Sequence, residues 1–245
     1  MPKRLSCFEV LSFDCYGTLI DWETGIWDAL QPLLMYNAAS SPGRSEALSQ
    51  FGALESRLES DQPALPYPEV LCRVHAALAA AGGLRTTAAL DREFGQSIAA
   101  WPAFADTAEA LRLLKTRFRL VILSNVDRAG FAASNRKLGV AFDAVYTAED
   151  IGSYKPSQAN FCYLLERVKA DLGVERGRIL HTAQSLYHDH APAQACGLTS
   201  CWIDRQRLSE GGAWGATAAV GERPAVDFLF FSLAELAEHV RVAGA

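Results

Sequence analysis

The chain has 245 residues, enough to bury a large core with or without a smaller insert, and half of them are apolar against about a fifth charged, the make-up of a globular protein. A formal charge of −5 leaves no broad cationic face for nucleic acid or anionic lipid, so neither is an expected partner and small-molecule chemistry is. The basic start runs into Glu9 and Asp14 without an apolar stretch and does not read as a signal peptide, no segment reaches the length of a membrane span, and the six cysteines form no CxxC pair; a cytoplasmic protein with reduced thiols is the expectation.

In chain order, residues 7–13 form an apolar, β-favouring run that stops at Asp14, Gly17 and Thr18, as a buried parallel strand feeding a tight loop would. Residues 22–100 change character. Apolar residues recur there at three- and four-residue spacing over 26–36, 46–58, 69–81 and 88–99, which predicts four helices, broken at Ser40-Ser41-Pro42-Gly43, at residues 61–66 and at Gly82-Gly83. From residue 101 strand and helix alternate. Strands are predicted at 119–123, 144–146, 178–181, 199–203 and 227–231, and helices at 107–117, 128–138, 158–172, 190–196 and 233–242. Residues 209–224, rich in Gly and Ala, read as a surface loop.

Repeated βα units predict an α/β fold, a Rossmann-like doubly wound parallel sheet with helices on both faces. The helical block interrupts it after the first strand, so the core comes in two stretches, 1–21 and 101–245, with a helical cap at 22–100 between them. In such a sheet the carboxyl ends of the strands line one crevice. Asp14, Ser124 with Asn125, Lys155 and Asp189 all fall just past predicted strands. A carboxylate nucleophile, an ammonium, a second carboxylate and small hydroxyl and amide donors make a coherent hydrolytic set. Taken singly, Asp14 or Ser124-Asn125 would equally suit helix capping. His181, His188 and His190 show no metal-ligand spacing, and Cys15 suits a small buried residue.

The order Asp14-Cys15-Tyr16-Gly17-Thr18, Ser124, Lys155 and the segment ending at Asp189 resembles the four motifs of the haloacid dehalogenase superfamily, over residues 8–242. That resemblance implies a helical cap inserted after the first motif. Phosphatases of the superfamily carry an acid two residues after the nucleophile, where this chain has Tyr16, and a magnesium-binding aspartate where it has Gln184. A phenol is a poor acid at neutral pH and an amide a weak partner for a hard dication. The Asp-x-Tyr-Gly-Thr pattern is similar to that of L-2-haloacid dehalogenases.

The resemblance to those enzymes implies a small carboxylate substrate, displacement of halide by Asp14, and hydrolysis of the resulting aspartyl ester with no metal or other cofactor. It further implies that Lys155 orients Asp14, that Asp189 pairs with Lys155 and polarises water, and that Ser124, Tyr16, Thr18 and Asn125 serve substrate or ester. Arg44 stands where a cap arginine could receive the halide, and the resemblance implies a homodimer. Gln184 and Leu186 replace a serine and an asparagine of that subfamily. Two alternatives stay open: a magnesium-dependent phosphatase or phosphonate hydrolase, with the ion on Asp14, the Tyr16 carbonyl and Asp189, and a catalytically silent member that binds a small anion or a partner protein.

Overall fold

The computed structural model describes residues 3–37 and 42–243. Strand β1 (Val10–Phe13) is buried at every position, because its two faces meet different apolar layers. Leu11 and Phe13 join Leu120 and Ile122 in one core cluster, while Val10 joins Val121, Leu123, Phe161 and Leu164 in the other. The strand is shorter at its start than the predicted 7–13, since Leu5–Cys7 turns as a 3-10 helix.

The insert follows as α1 (Trp22–Asn37), α2 (Arg44–Asp61), α3 (Tyr67–Ala81) and α4 (Ala88–Gly95). The predicted fourth helix ends early, at Gly95, and Ser97–Ala100 is a 3-10 turn. Gly95 lets α4 approach α3 closely; a Cβ there would lie 2.4 Å from Cys72 Sγ and 2.7 Å from the Pro68 carbonyl. Of the expected break at Ser40-Ser41-Pro42-Gly43, residues 40 and 41 lie outside the described residues, and Pro42 and Gly43 lead into α2.

The rest of the core runs α5 (Thr107–Lys115), β2 (Arg119–Ser124), α6 (Arg128–Leu138), β3 (Ala144–Thr147), α7 (Ala148–Ile151) and α8 (Gln158–Leu172). It continues through β4 (Ile179–Ala183), α9 (Ala191–Ala195), β5 (Thr199–Ile203), β6 (Phe228–Phe230) and α10 (Leu233–Ala243). The six strands are all parallel in the order β3-β2-β1-β4-β5-β6. The chain winds outward from β1 through β2 to β3, then returns to β4 on the other side of β1. The crevice at the carboxyl ends of β1 and β4 is therefore the topological switch point, where ligands bind in open α/β sheets. In register, Phe13 lies beside Ile122 on one side and Thr182 on the other, so Asp14, the residues after Ser124 and those after Ala183 emerge together.

No helix among the described residues is long and apolar enough to cross a membrane.

Candidate active site

Asp14 leaves β1 into a loop whose turn depends on Gly17, at φ +96°. That backbone is left-handed, and a Cβ at Gly17 would sit 3.1 Å from Gln184 Oε1. The turn brings the Thr18 hydroxyl back to donate to Asp14 Oδ2 at 2.7 Å, and Thr18 Oγ1 in turn accepts the Gln184 amide at 2.9 Å. Thr18 is fully buried and holds the Asp14 carboxylate; it does not line the cavity, so the substrate-binding role expected of it does not fit its position.

Lys155 Nζ donates to Asp14 Oδ1 at 2.8 Å and to Asp189 Oδ1 at 2.7 Å, with the lysine 2% and Asp189 1% exposed. Burial alone would lower the lysine pKa, but the two carboxylates outweigh it and hold the ammonium above the usual lysine range. Burial pushes the Asp14 carboxyl above its ordinary value, opposed by Lys155 and by the Lys155 and Thr18 hydrogen bonds. Asp189 is also penalised by burial, yet Lys155 and His181 hold it well below the carboxylate range. His181 Nε2 lies 3.0 Å from Asp189 Oδ1, and Ser12 Oγ lies 3.0 Å from His181 Nδ1. An ionised carboxylate only accepts, so Nε2 carries the proton. Ser12 and His181 sit opposite each other in the β1–β4 register, and the sequence does not reveal this supporting pair because its residues belong to two strands.

Asn125 holds Lys155 in place. Its Oδ1 accepts the Lys155 amide at 2.7 Å and its Nδ2 donates to the Lys155 carbonyl at 3.0 Å. Helix α6 is capped instead by Asp127, whose Oδ1 accepts from the Gly130 amide at 2.6 Å, so Ser124 and Asn125 are not capping residues. Ser124 is buried, with its hydroxyl unpartnered among the described residues, and is not among the residues that line the cavity.

Above these groups lies a cavity of about 430 Å³ lined by core and insert together. Tyr16 forms one section of its wall, edge-on to Trp101 with ring centroids 5.4 Å apart. Its hydroxyl shares a 2.9 Å hydrogen bond with Ser134, and burial pushes the phenol well above its usual pKa. Cys15, buried beside Asp14, is likewise pushed well up, first by burial and then by that carboxylate, so its thiol is inert.

Arg44 is not in the cavity. It is the exposed first residue of α2, it donates Nη2 to Thr24 Oγ1 at 3.1 Å, and the cavity-lining stretch of that helix begins more than a turn later, at Ser49. The insert contributes Glu55, Glu59 and Tyr67 instead. Tyr67 OH donates to Glu55, and Asn125 Nδ2 reaches Glu59 Oε2 at 3.3 Å. Burial raises the Glu55 carboxyl to about 7 and pushes Glu59 well above the carboxylate range. The two acids are legible in outline, since they stand four apart and extend the stripe of Leu48, Phe51 and Gly52.

Residues 215–219 close another side, so the expected surface loop is in some measure a wall of the site. Gln184 Nε2 anchors it through Gln206 Oε1 at 2.7 Å and Thr217 Oγ1 at 3.2 Å. After β4 the chain enters a π-helical turn (Leu186–His190), in place of the single helix expected over 190–196. The turn buries Leu186 against Trp202 and Leu208 and sets Ser185, His188 and Asp189 on the cavity. Burial lowers His188 to about 4, so its imidazole is neutral near pH 7. His190 Nε2 bonds the Ala183 carbonyl and His181 bonds Asp189, so the three histidines share no centre.

A magnesium ion would need several converging oxygen ligands. Here Asp14 and Asp189 each direct an oxygen at Lys155, Gln184 is spent on the loop, and no group of three His, Cys, Asp or Glu side chains converges among the described residues. With Gln184 neutral and committed to the loop, the carboxylates that the strand ends offer an ion are Asp14 and Asp189 alone among the described residues.

Fold and site together describe a hydrolase built around a carboxylate held by one lysine. The family model for haloacid dehalogenase-like hydrolases matches residues 8–181, and the chain belongs to that family. The fold is similar to that of the L-2-haloacid dehalogenase of Xanthobacter autotrophicus with chloropropionic acid covalently bound, at 19% identity and a TM-score of 0.76 over 96% of this chain and 98% of that one. It is similar to the defluorinating L-2-haloacid dehalogenase Rha0230 at 18% identity and 0.76, covering 98% and 100%. The HAD-hydrolase YfnB of Bacillus subtilis, bound to magnesium, aligns at 19% identity and 0.75, covering 96% and 99%. No curated protein matches the sequence.

Proposed function

We propose that this chain is a 2-haloacid dehalogenase, releasing halide from small 2-haloalkanoic acids through an ester on Asp14 and needing no metal. The observation that carries this reading is the pairing of a buried Asp14–Lys155 ion pair with a phenol at Tyr16, where a phosphatase needs an acid. A carboxylate stripped of water and balanced by a single ammonium is a strong nucleophile toward an sp3 carbon. Among the described residues the backbone amides of Cys15 and Tyr16 donate to no protein acceptor, and with Lys155 they offer a substrate carboxylate its counter-charge.

Asp14 attacks the carbon from the side opposite the halogen, the carbon–halogen bond breaks and an aspartyl ester forms. Water then adds to the ester carbonyl, oriented by Asp189 and His188, both of which line the cavity. Hydroxy acid leaves with inversion, and Asp14 is restored. The covalent chloropropionic acid adduct of the Xanthobacter enzyme, which shares this fold, supports the same route. All six cysteines are free, in keeping with a cytoplasmic enzyme. A homodimer belongs to the same proposal, on family resemblance.

Halide release from a panel of 2-fluoro-, 2-chloro- and 2-bromopropionate with EDTA present is the direct test. Turnover in heavy-oxygen water should place label in the Asp14 peptide. Magnesium-dependent phosphate release from phosphoesters, with no halide released, would overturn the reading.

A further inference from the structure

We propose that Glu59 of the cap is the proton donor for the leaving group, and that the site is therefore built for fluoride rather than the heavier halides. The inference rests on the displacement by Asp14 proposed above. In-line attack puts the departing atom on the face of the carbon away from Asp14. The cap contributes Glu55, Glu59 and Tyr67 to the cavity lining, and the one Lys or Arg that lines it among the described residues is Lys155, which Asp14 and Asp189 already engage. Arg44, the cation that could have received a halide there, is held outside by Thr24.

The cap carboxyls have only neutral donors as partners, Tyr67 for Glu55 and Asn125 for Glu59. The charged or titratable groups that face them from the core are Lys155, already shared by Asp14 and Asp189, and the phenol of Tyr154. Glu59 is 6% exposed, borders the cavity and leaves Oε1 without a hydrogen bond among the described residues. Two ionised carboxylates would repel a departing anion; a protonated one donates to it. The raised carboxyls agree with the second state.

A proton matters to the leaving group only if that group is basic. Chloride and bromide are not protonated near neutral pH and gain little from a neutral acid. Fluoride is a strong hydrogen-bond acceptor and the conjugate base of a weak acid. The other acid candidate, Tyr16, is tied to Ser134 and buried. In the balanced step, Asp14 forms its bond to C2 as the C2–F bond breaks, and the Glu59 proton goes to fluoride, leaving Glu59 ionised. Ester hydrolysis consumes one water, gives its hydroxyl to the Asp14 carboxyl and one hydrogen to the product, and the proton then lost by Asp14 restores Glu59.

The experiment compares fluoride with chloride release from 2-fluoro- and 2-chloropropionate by the full chain and by Glu59→Gln, which keeps the shape and loses the acid. General acid catalysis contributes roughly 10²-fold or more, so the variant should lose fluoride release by about that factor beyond its loss of chloride release. Glu59→Asp should recover some of the difference. Equal losses on both substrates, or a wild-type chain that releases chloride and not fluoride, would overturn the proposal and leave the Asp14 ester intact. Release of neither halide, with no label in Asp14, would overturn both.

Discussion

The Asn125 side chain clasps the backbone of Lys155 at both ends, accepting its amide at 2.7 Å and donating to its carbonyl at 3.0 Å. The ammonium that balances Asp14 is thus positioned from the neighbouring strand end, by a residue whose own amide also reaches Glu59. Asn125→Ala removes both bonds without touching a charge. Net hydrogen-bond contributions of about 1 kcal/mol each put the stability loss at roughly 1–3 kcal/mol, read by urea denaturation. A misplaced Lys155 should cost kcat about 10²-fold with a smaller change in KM. Asn125→Asp should not rescue, since its second oxygen would face the Lys155 carbonyl.

Asp14→Asn keeps the Thr18 hydrogen bond and the volume of the side chain while removing the carboxylate proposed as nucleophile. Turnover of every haloacid should fall by roughly 10⁴-fold or more, and the peptide carrying residue 14 should stay unlabelled in heavy-oxygen water. A thermal melt checks that the fold is retained.

Tyr16→Phe separates a wall from an acid. The phenol is engaged with Ser134 and pushed to a higher pKa, so deleting its hydroxyl should lower kcat by less than about tenfold, the effect of loosened packing. A loss of roughly 10³-fold on a phosphoester would assign the hydroxyl an acid role and return the site to phosphoryl transfer.

Glu55 makes stability depend on pH in a stated direction. Its carboxyl is raised from 4.5 to about 7 in the folded chain, chiefly by burial, so the folded state binds a proton that the unfolded state has already lost between those values. Stability is therefore greatest below the unfolded value and falls as pH rises from about 4.5 toward 7. Glu55→Gln should flatten that slope in denaturation midpoints measured across the window.

Gly52 is where α2 meets the loop that closes the cavity; a Cβ there would lie 2.9 Å from the Ala216 carbonyl. Gly52→Val should push residues 215–219 away and raise KM, with kcat less affected. Overpacking of this kind costs roughly 1–3 kcal/mol, which a thermal melt would read.

The parallel sheet, the helical insert after β1 and the alignment of Asp14, Lys155 and Asp189 at strand ends are legible in local patterns, because period, turn residues and strand termini are written in consecutive positions. Arg44 is not placed by such patterns. Its distance along the chain suits the cavity, but its side chain is settled by Thr24 on another helix. The same holds for Thr18, whose residue type suits substrate contact and whose burial gives it a grip on Asp14.

By itself, then, the sequence determined the fold class and brought Asp14 and Lys155 to the same end of the sheet, both consequences of short-range periodicity and motif order. Only the tertiary structure decided which residues of the insert share the cavity with Asp14. Glu55 and Glu59 of α2 line it, far from Asp14 in sequence, and burial raises both carboxyls, a property that no stretch of residues carries alone.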